Sequence, residues 1–125
     1  MPIEYYDAPD VKVLVDEIAL KLRLTYVEVD RVFCFRSRGS HSRRVIARIH
    51  SLGKVWQKAL HTRAGYLIEV LSERYDKLNQ TEKERVIIHE LLHIPAGFSG
   101  GFRPHKGFIN EKILDKFHKE FRNSR

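Results

Sequence analysis

The sequence predicts an α+β domain spanning residues 1–125: an N-terminal helix, a small three-stranded twisted sheet and two further long helices. Three observations carry this. Apolar residues recur at helical intervals near both ends of the chain. Segments at 26–36, 44–50 and 65–72 alternate or run apolar as strands do. A capped apolar helix begins near residue 81.

In DVKVLVDEIALKLRL (10–24), Val11, Leu14, Val15, Ile18 and Leu22 share a stripe, with Asp10 after Pro9 as N-cap. YVEVDRVFCFR (26–36) alternates and then becomes apolar, as a strand entering a core does. RVIARIH (44–50) also alternates, with helix as the alternative, and the basic stretch SRGSHSR between them reads as the tip of a hairpin joining 29–36 to 44–50. KVWQKALH fits a short helix or a strand, and Trp56 and Leu60, one helical turn apart, favour the helix. GYLIEVLS (65–72), rich in aliphatic and β-branched residues, is the third strand. Thr81 and Glu84 have capping-box spacing, so a helix starts there and runs through RVIIHELLHI until Pro95 stops it. AGFSGGFRP is a glycine-rich loop, and KGFINEKILDKFHKEF spaces Phe108, Ile109, Ile113, Phe117 and Phe121 as a last helix.

Composition narrows the class. With 125 residues, 42% of them apolar, the chain can bury one core without staples. Its one cysteine, Cys34 in VFCF, excludes an intramolecular disulfide and a cysteine-rich metal site, and reads as a small buried hydrophobe. No stretch approaches the roughly 20 apolar residues of a membrane span, and MPIEYYDAPD lacks a signal-peptide pattern, so a cytoplasmic protein is expected. The net charge of +7 favours acidic partners in general, and its one dense cluster is RSRGSHSRR.

The chemistry concentrates in HELLH (89–93). Residues four apart in a helix project from one face, so His89 and His93 can chelate one tetrahedral ion, and Glu90 reaches its second shell as general base. Three protein ligands and one open position are the pattern of catalytic zinc. For the third ligand two residues compete. His105 returns through the flexible loop after Pro95. Glu111 stands on the last helix with Asp115 four residues on, an arrangement like that of the thermolysin-like gluzincins, in which the Asp orients a histidine ligand. The metzincin spacing is absent, because Ala96 and Ser99 stand where that family has glycine and histidine.

HELLHIP, FSGG and FRPHKGF, in a chain this short, resemble the minigluzincins, small soluble archaeal zincins; the likeness covers about two thirds of the chain and is most specific over 81–108. The resemblance implies a minimal zincin-like catalytic domain and His105, rather than Glu111, as third ligand. It also implies latency, with a C-terminal segment from about 112, including His118, that covers the cleft or exchanges between protomers in a homo-oligomer.

The expectation is therefore a metallopeptidase with one Zn2+ held by His89, His93 and His105, acting on peptide or protein substrates laid along a sheet edge near 44–50. Arg103, His61 and Tyr66 are the residue types available to stabilise the transition state. A rival reading takes Arg36, Arg38, His41, Arg43 and Arg44 as phosphate contacts of a nucleic-acid-associated protein or a SprT-like DNA-linked protease; the loop's lack of aromatic residues weighs against it. A second rival is a catalytically silent metal-binding module.

Overall fold

The computed structural model describes residues 2–124. In chain order the elements are β1 (Glu4–Asp7), α1 (Pro9–Lys21), β2 (Val32–Arg38), β3 (Ala47–Ser51), α2 (Lys54–Leu60), β4 (Tyr66–Leu71), α3 (Ser72–Tyr75), α4 (Gln80–Leu92) and α5 (Glu111–Asn123), with a 3-10 turn at Val29–Arg31. This is an α+β fold with a four-stranded mixed sheet in the order β1-β2-β4-β3.

The expected hairpin between 29–36 and 44–50 does not form. β4 lies between the two strands, parallel to β2 and antiparallel to β3. The pairing follows burial: YLIEVL in β4 is buried at five of its six positions, as suits a central strand, whereas ARIHS in β3 has no buried residue and takes an edge. The other edge, β1, is the strand the pattern did not announce. All four residues of EYYD are exposed, and backbone pairing to β2 in the register Glu4↔Arg38 to Asp7↔Phe35 holds them.

One face of the sheet carries the core. Val11, Val15 and Ile18 of α1 and Ile87, Ile88 and Leu91 of α4 pack with Val32, Cys34, Ile68 and Val70, and each fully buried aliphatic side chain contributes about 1.5–3 kcal/mol. Cys34 is buried, as expected.

Three helix starts differ in detail from the sequence reading. The N-cap of α1 is Ala8, without a side-chain cap. Asp10 sits in the first turn, where its carboxylate accepts from Arg36 at 2.7 and 3.2 Å; Arg36 also reaches Asp76 at 2.8 Å. The capping box of α4 is Asn79 with Glu82, two residues earlier than Thr81 with Glu84, because Asn is as good a cap as Thr and fits the same spacing. Glu84 is instead buried and joins His118 at 2.9 Å and Arg122 at 3.6 Å, tying α5 to α4. α5 begins at Glu111, where Asn110 Oδ1 caps the Ile113 amide, so 106–110 are loop although Ile109 is buried. No helix among the described residues is long and apolar enough to cross a membrane.

Candidate metal centre

His89 lies in the last turn of α4, and His93 is its C-cap. His105 approaches both from the loop, and the three rings stand 4.7 to 5.2 Å apart between centroids. One nitrogen from each ring falls within 4.8 Å of the others. His89 Nε2 and His105 Nε2 are 3.1 Å apart.

The loop reaches this position because it is fastened at several points. Phe98 and Ile109 are buried and anchor its two sides in the core. The Arg103 amide donates to the His93 carbonyl at 2.7 Å, and the His105 carbonyl accepts from Phe108 and Ile109 in a tight turn. Tyr66, on β4, places its hydroxyl under the glycines, accepting from the Gly100 amide at 3.0 Å and donating to the Gly101 carbonyl at 2.8 Å. Gly100 is required as glycine: its φ is +105°, and a Cβ there would stand 2.8 Å from the Leu52 carbonyl oxygen.

Protonation suits a cation. His93 Nδ1 is 2.9 Å from the Arg103 carbonyl, which can only accept, so Nδ1 is the donor there and Nε2 is the nitrogen available to an ion. Burial, helped by His93 and His105, pushes the His89 imidazole down to about 4, leaving it neutral near pH 7. Burial likewise pushes the Glu90 carboxyl up to about 7. Glu90 Oε2 is buried and has no hydrogen-bond partner among the described residues. An orphaned polar oxygen beside a histidine cluster marks room for a group that the protein chain itself does not supply. Donor set and orphan together fit a borderline-soft divalent ion and its water.

These residues share a cavity of about 550 Å3 whose other walls include Arg44, Ala47, Arg85, Glu111 and Leu114. Glu111 is not grouped with the three histidines; its carboxylate bonds Arg85 at 2.9 Å, and Asp115 takes the other guanidinium nitrogen at 2.8 Å. α5 therefore borders the cleft through Glu111 and Leu114, while His118 faces Glu84. Arg103 stacks its guanidinium over Tyr26 and Phe108, at 5.5 and 5.3 Å, and serves the site through its backbone. Tyr66 is occupied beneath the loop. His61, the left-handed C-cap of α2, lines a separate groove. Of the proposed phosphate contacts, Arg36 is engaged by Asp10 and Asp76, and Arg38 lies over Tyr6. The sequence reading missed Arg85 as a cleft residue, although its position four before His89 puts it on the histidine face of the helix.

Two histidines at the end of α4 and a third from the loop, beside a glutamate oxygen that is buried and without a partner among the described residues, make the arrangement of a metal-dependent hydrolase. The family described as "Putative phage metallopeptidase" matches residues 3–121, and the chain belongs to it. Membership supports a metallopeptidase-like domain, a metal ion and a peptide or protein substrate. No curated protein and no solved structure matches the chain.

Proposed function

We propose that the chain is a zinc metalloendopeptidase of gluzincin-like design, in which His89, His93 and His105 hold the ion and Glu90 is the general base. The observation that carries this reading is the three-histidine cluster, with one nitrogen of each ring within 4.8 Å of the others, beside the orphaned carboxylate of Glu90. Zinc held there supplies Lewis-acid polarisation of a water and of the scissile carbonyl. Glu90, kept near pH 7 by burial, accepts the proton of the attacking water and returns it to the leaving amine. His93 is oriented by the Arg103 carbonyl, and the Phe98 and Ile109 anchors keep His105 in place. Of the cleft-lining cations, Arg44 is the group placed to meet developing negative charge, Arg85 being engaged by Glu111 and Asp115.

The edge strand β3 supplies the peptide track. The Ile46 carbonyl accepts from the Leu71 amide and the Leu52 amide donates to the Gly65 carbonyl, so by antiparallel alternation Ala47, Ile49 and Ser51 turn their amides and carbonyls outward. Ala47 also lines the cleft, so a peptide added along this edge runs past the histidines.

Elemental analysis tests the ligand set. Wild type and Glu111→Ala should each carry about one zinc per chain, with His89→Ala and His105→Ala carrying little. Zinc lost from Glu111→Ala and kept in His105→Ala would transfer the third position to Glu111. Arg85→Ala, which releases Glu111 and Asp115, tests restraint by the C-terminal helix: latency of that kind predicts faster peptide hydrolysis by the variant.

A further inference from the structure

Helix α2 is mounted with its apolar side outward. Val55, Trp56, Ala59 and Leu60 fall on one face of Lys54–Leu60, and that face lies in solvent: Val55 is 83%, Trp56 62% and Leu60 56% exposed. No residue of the helix is buried. The side turned to the protein is polar and is held by Gln57, whose Nε2 donates to the Leu52 carbonyl at 2.7 Å and the Ser99 carbonyl at 3.1 Å. Lys54, Lys58 and His61 flank the apolar face along a broad groove that continues to Arg63. Arg63 is paired with Glu28 and Asp30, whereas the exposed Lys54 and Lys58 join no ion pair among the described residues.

A two-turn helix with a single tryptophan, two aliphatic side chains and two unpaired lysines needs a cover of matching chemistry, and size selects among the candidates. The three large apolar residues present on the order of 400 Å2, the size of the largest apolar patch on an ordinary monomer, which is often a functional one. That is about half of the roughly 800 Å2 that each partner of a stable protein complex buries. A bilayer interface requires no complementary surface. It accepts a few apolar side chains with tryptophan at headgroup depth, while adjacent lysines stay among the phosphates. The chain's net charge of +7 adds attraction to anionic lipid.

We infer that α2 docks the protein on an anionic lipid surface, with Val55, Trp56 and Leu60 entering the interface and Lys54 and Lys58 contacting the headgroups. Peripheral attachment of this kind needs no membrane-spanning helix.

Trp56 is the only tryptophan, so its emission reports the docking directly. The full chain is mixed with vesicles of phosphatidylcholine alone or of phosphatidylcholine with phosphatidylserine, and Trp56 fluorescence is read beside co-sedimentation. The expected result is a blue shift and pelleting with the anionic vesicles only, both fading as salt rises. Lys58→Glu should weaken partition by at least about fivefold, the effect of one cation near such a surface. Val55→Ser and Leu60→Ser, exposed positions whose circular dichroism should match wild type, should abolish it. No shift with either vesicle, or equal partition onto neutral lipid, overturns the inference. A shift that grows with protein concentration in the absence of lipid also overturns it, assigning the face to a second copy of the chain.

Discussion

Tyr66→Phe removes one oxygen and separates two roles for this residue. The hydroxyl accepts from the Gly100 amide and donates to the Gly101 carbonyl, fastening the loop that delivers His105. Each hydrogen bond contributes about 1 kcal/mol, and water can reach the exposed Gly101, so the loss should be about 1–2 kcal/mol. At about 2 cal/mol/K of unfolding entropy per residue, that lowers Tm by roughly 4–8 °C. A loosened His105 should also weaken metal affinity by about tenfold, in the range seen when support of a ligand is removed. Differential scanning calorimetry and metal titration measure both. Turnover per bound metal should stay near wild type, because the hydroxyl is already engaged away from the cleft. A Tm within about 1 °C of wild type, combined with a fall in turnover at full metal occupancy, would refute this reasoning and place the hydroxyl in the chemistry.

Three other perturbations test neighbouring links. Glu90→Gln should retain metal and be at least as stable as wild type, because a neutral amide replaces a buried carboxylate, while peptide hydrolysis falls by about 10²–10⁴-fold; loss of the metal instead would make Glu90 structural. Gly100→Ala forces a Cβ against the Leu52 carbonyl at a positive φ and should cost about 1–3 kcal/mol by denaturant titration, with no loss refuting the close approach. The bond from Arg36 holds the Asp10 carboxyl below its ordinary range. A depressed carboxyl contributes stability above its unfolded value, about 3.9, and loses it as pH falls through the folded value. Thermal melts from pH 7 to pH 2 should therefore show a shallower acid decline for Arg36→Gln than for wild type; parallel curves would exclude the pair as a source of acid sensitivity.

HELLH was readable because i, i+4 geometry belongs to any helix, and neither tertiary contact nor loop path alters it. Helices α1, α2, α4 and α5, the strand cores at 32–36 and 66–71, and the buried Cys34 followed from local pattern for the same reason, whereas the sequence reading misses the short α3 and assigns Ser72 to the strand before it. What could not be read depends on distant partners. Alternation in 44–50 announces a strand without naming its neighbour, so β3 reads as the hairpin mate of β2 when the more apolar β4 takes that place. EYYD has no apolar alternation because only its backbone is used. Thr81 and Asn79 both offer a capping spacing, and only the buried Glu84, drawn toward His118, decides between them. His105 and Glu111 compete in the sequence because their separation depends on a loop whose course is fixed by Phe98, Ile109 and a tyrosine hydroxyl thirty-five residues before Gly101. Trp56 and Leu60 showed the periodicity of a buried helix, and periodicity does not say which way a stripe faces.

The strand order has a consequence for how the chain assembles. Among the described residues, Ala47–Ser51 pairs only with Tyr66–Leu71, which follows it in sequence, while β2 meets that same strand in parallel. As the chain is synthesised, β3 emerges with no place to go: its neighbour does not yet exist, and β2 and β1 can pair without it. Parallel pairing across an intervening strand and helix closes long loops, which slows folding. The wall proposed to receive substrate is therefore completed only after residue 71, and the histidines arrive later still, on α4 and its loop. A chain synthesised only as far as Arg38 thus holds β1, α1 and β2 but no cleft, and the histidine cluster can assemble only once His105 has followed α4.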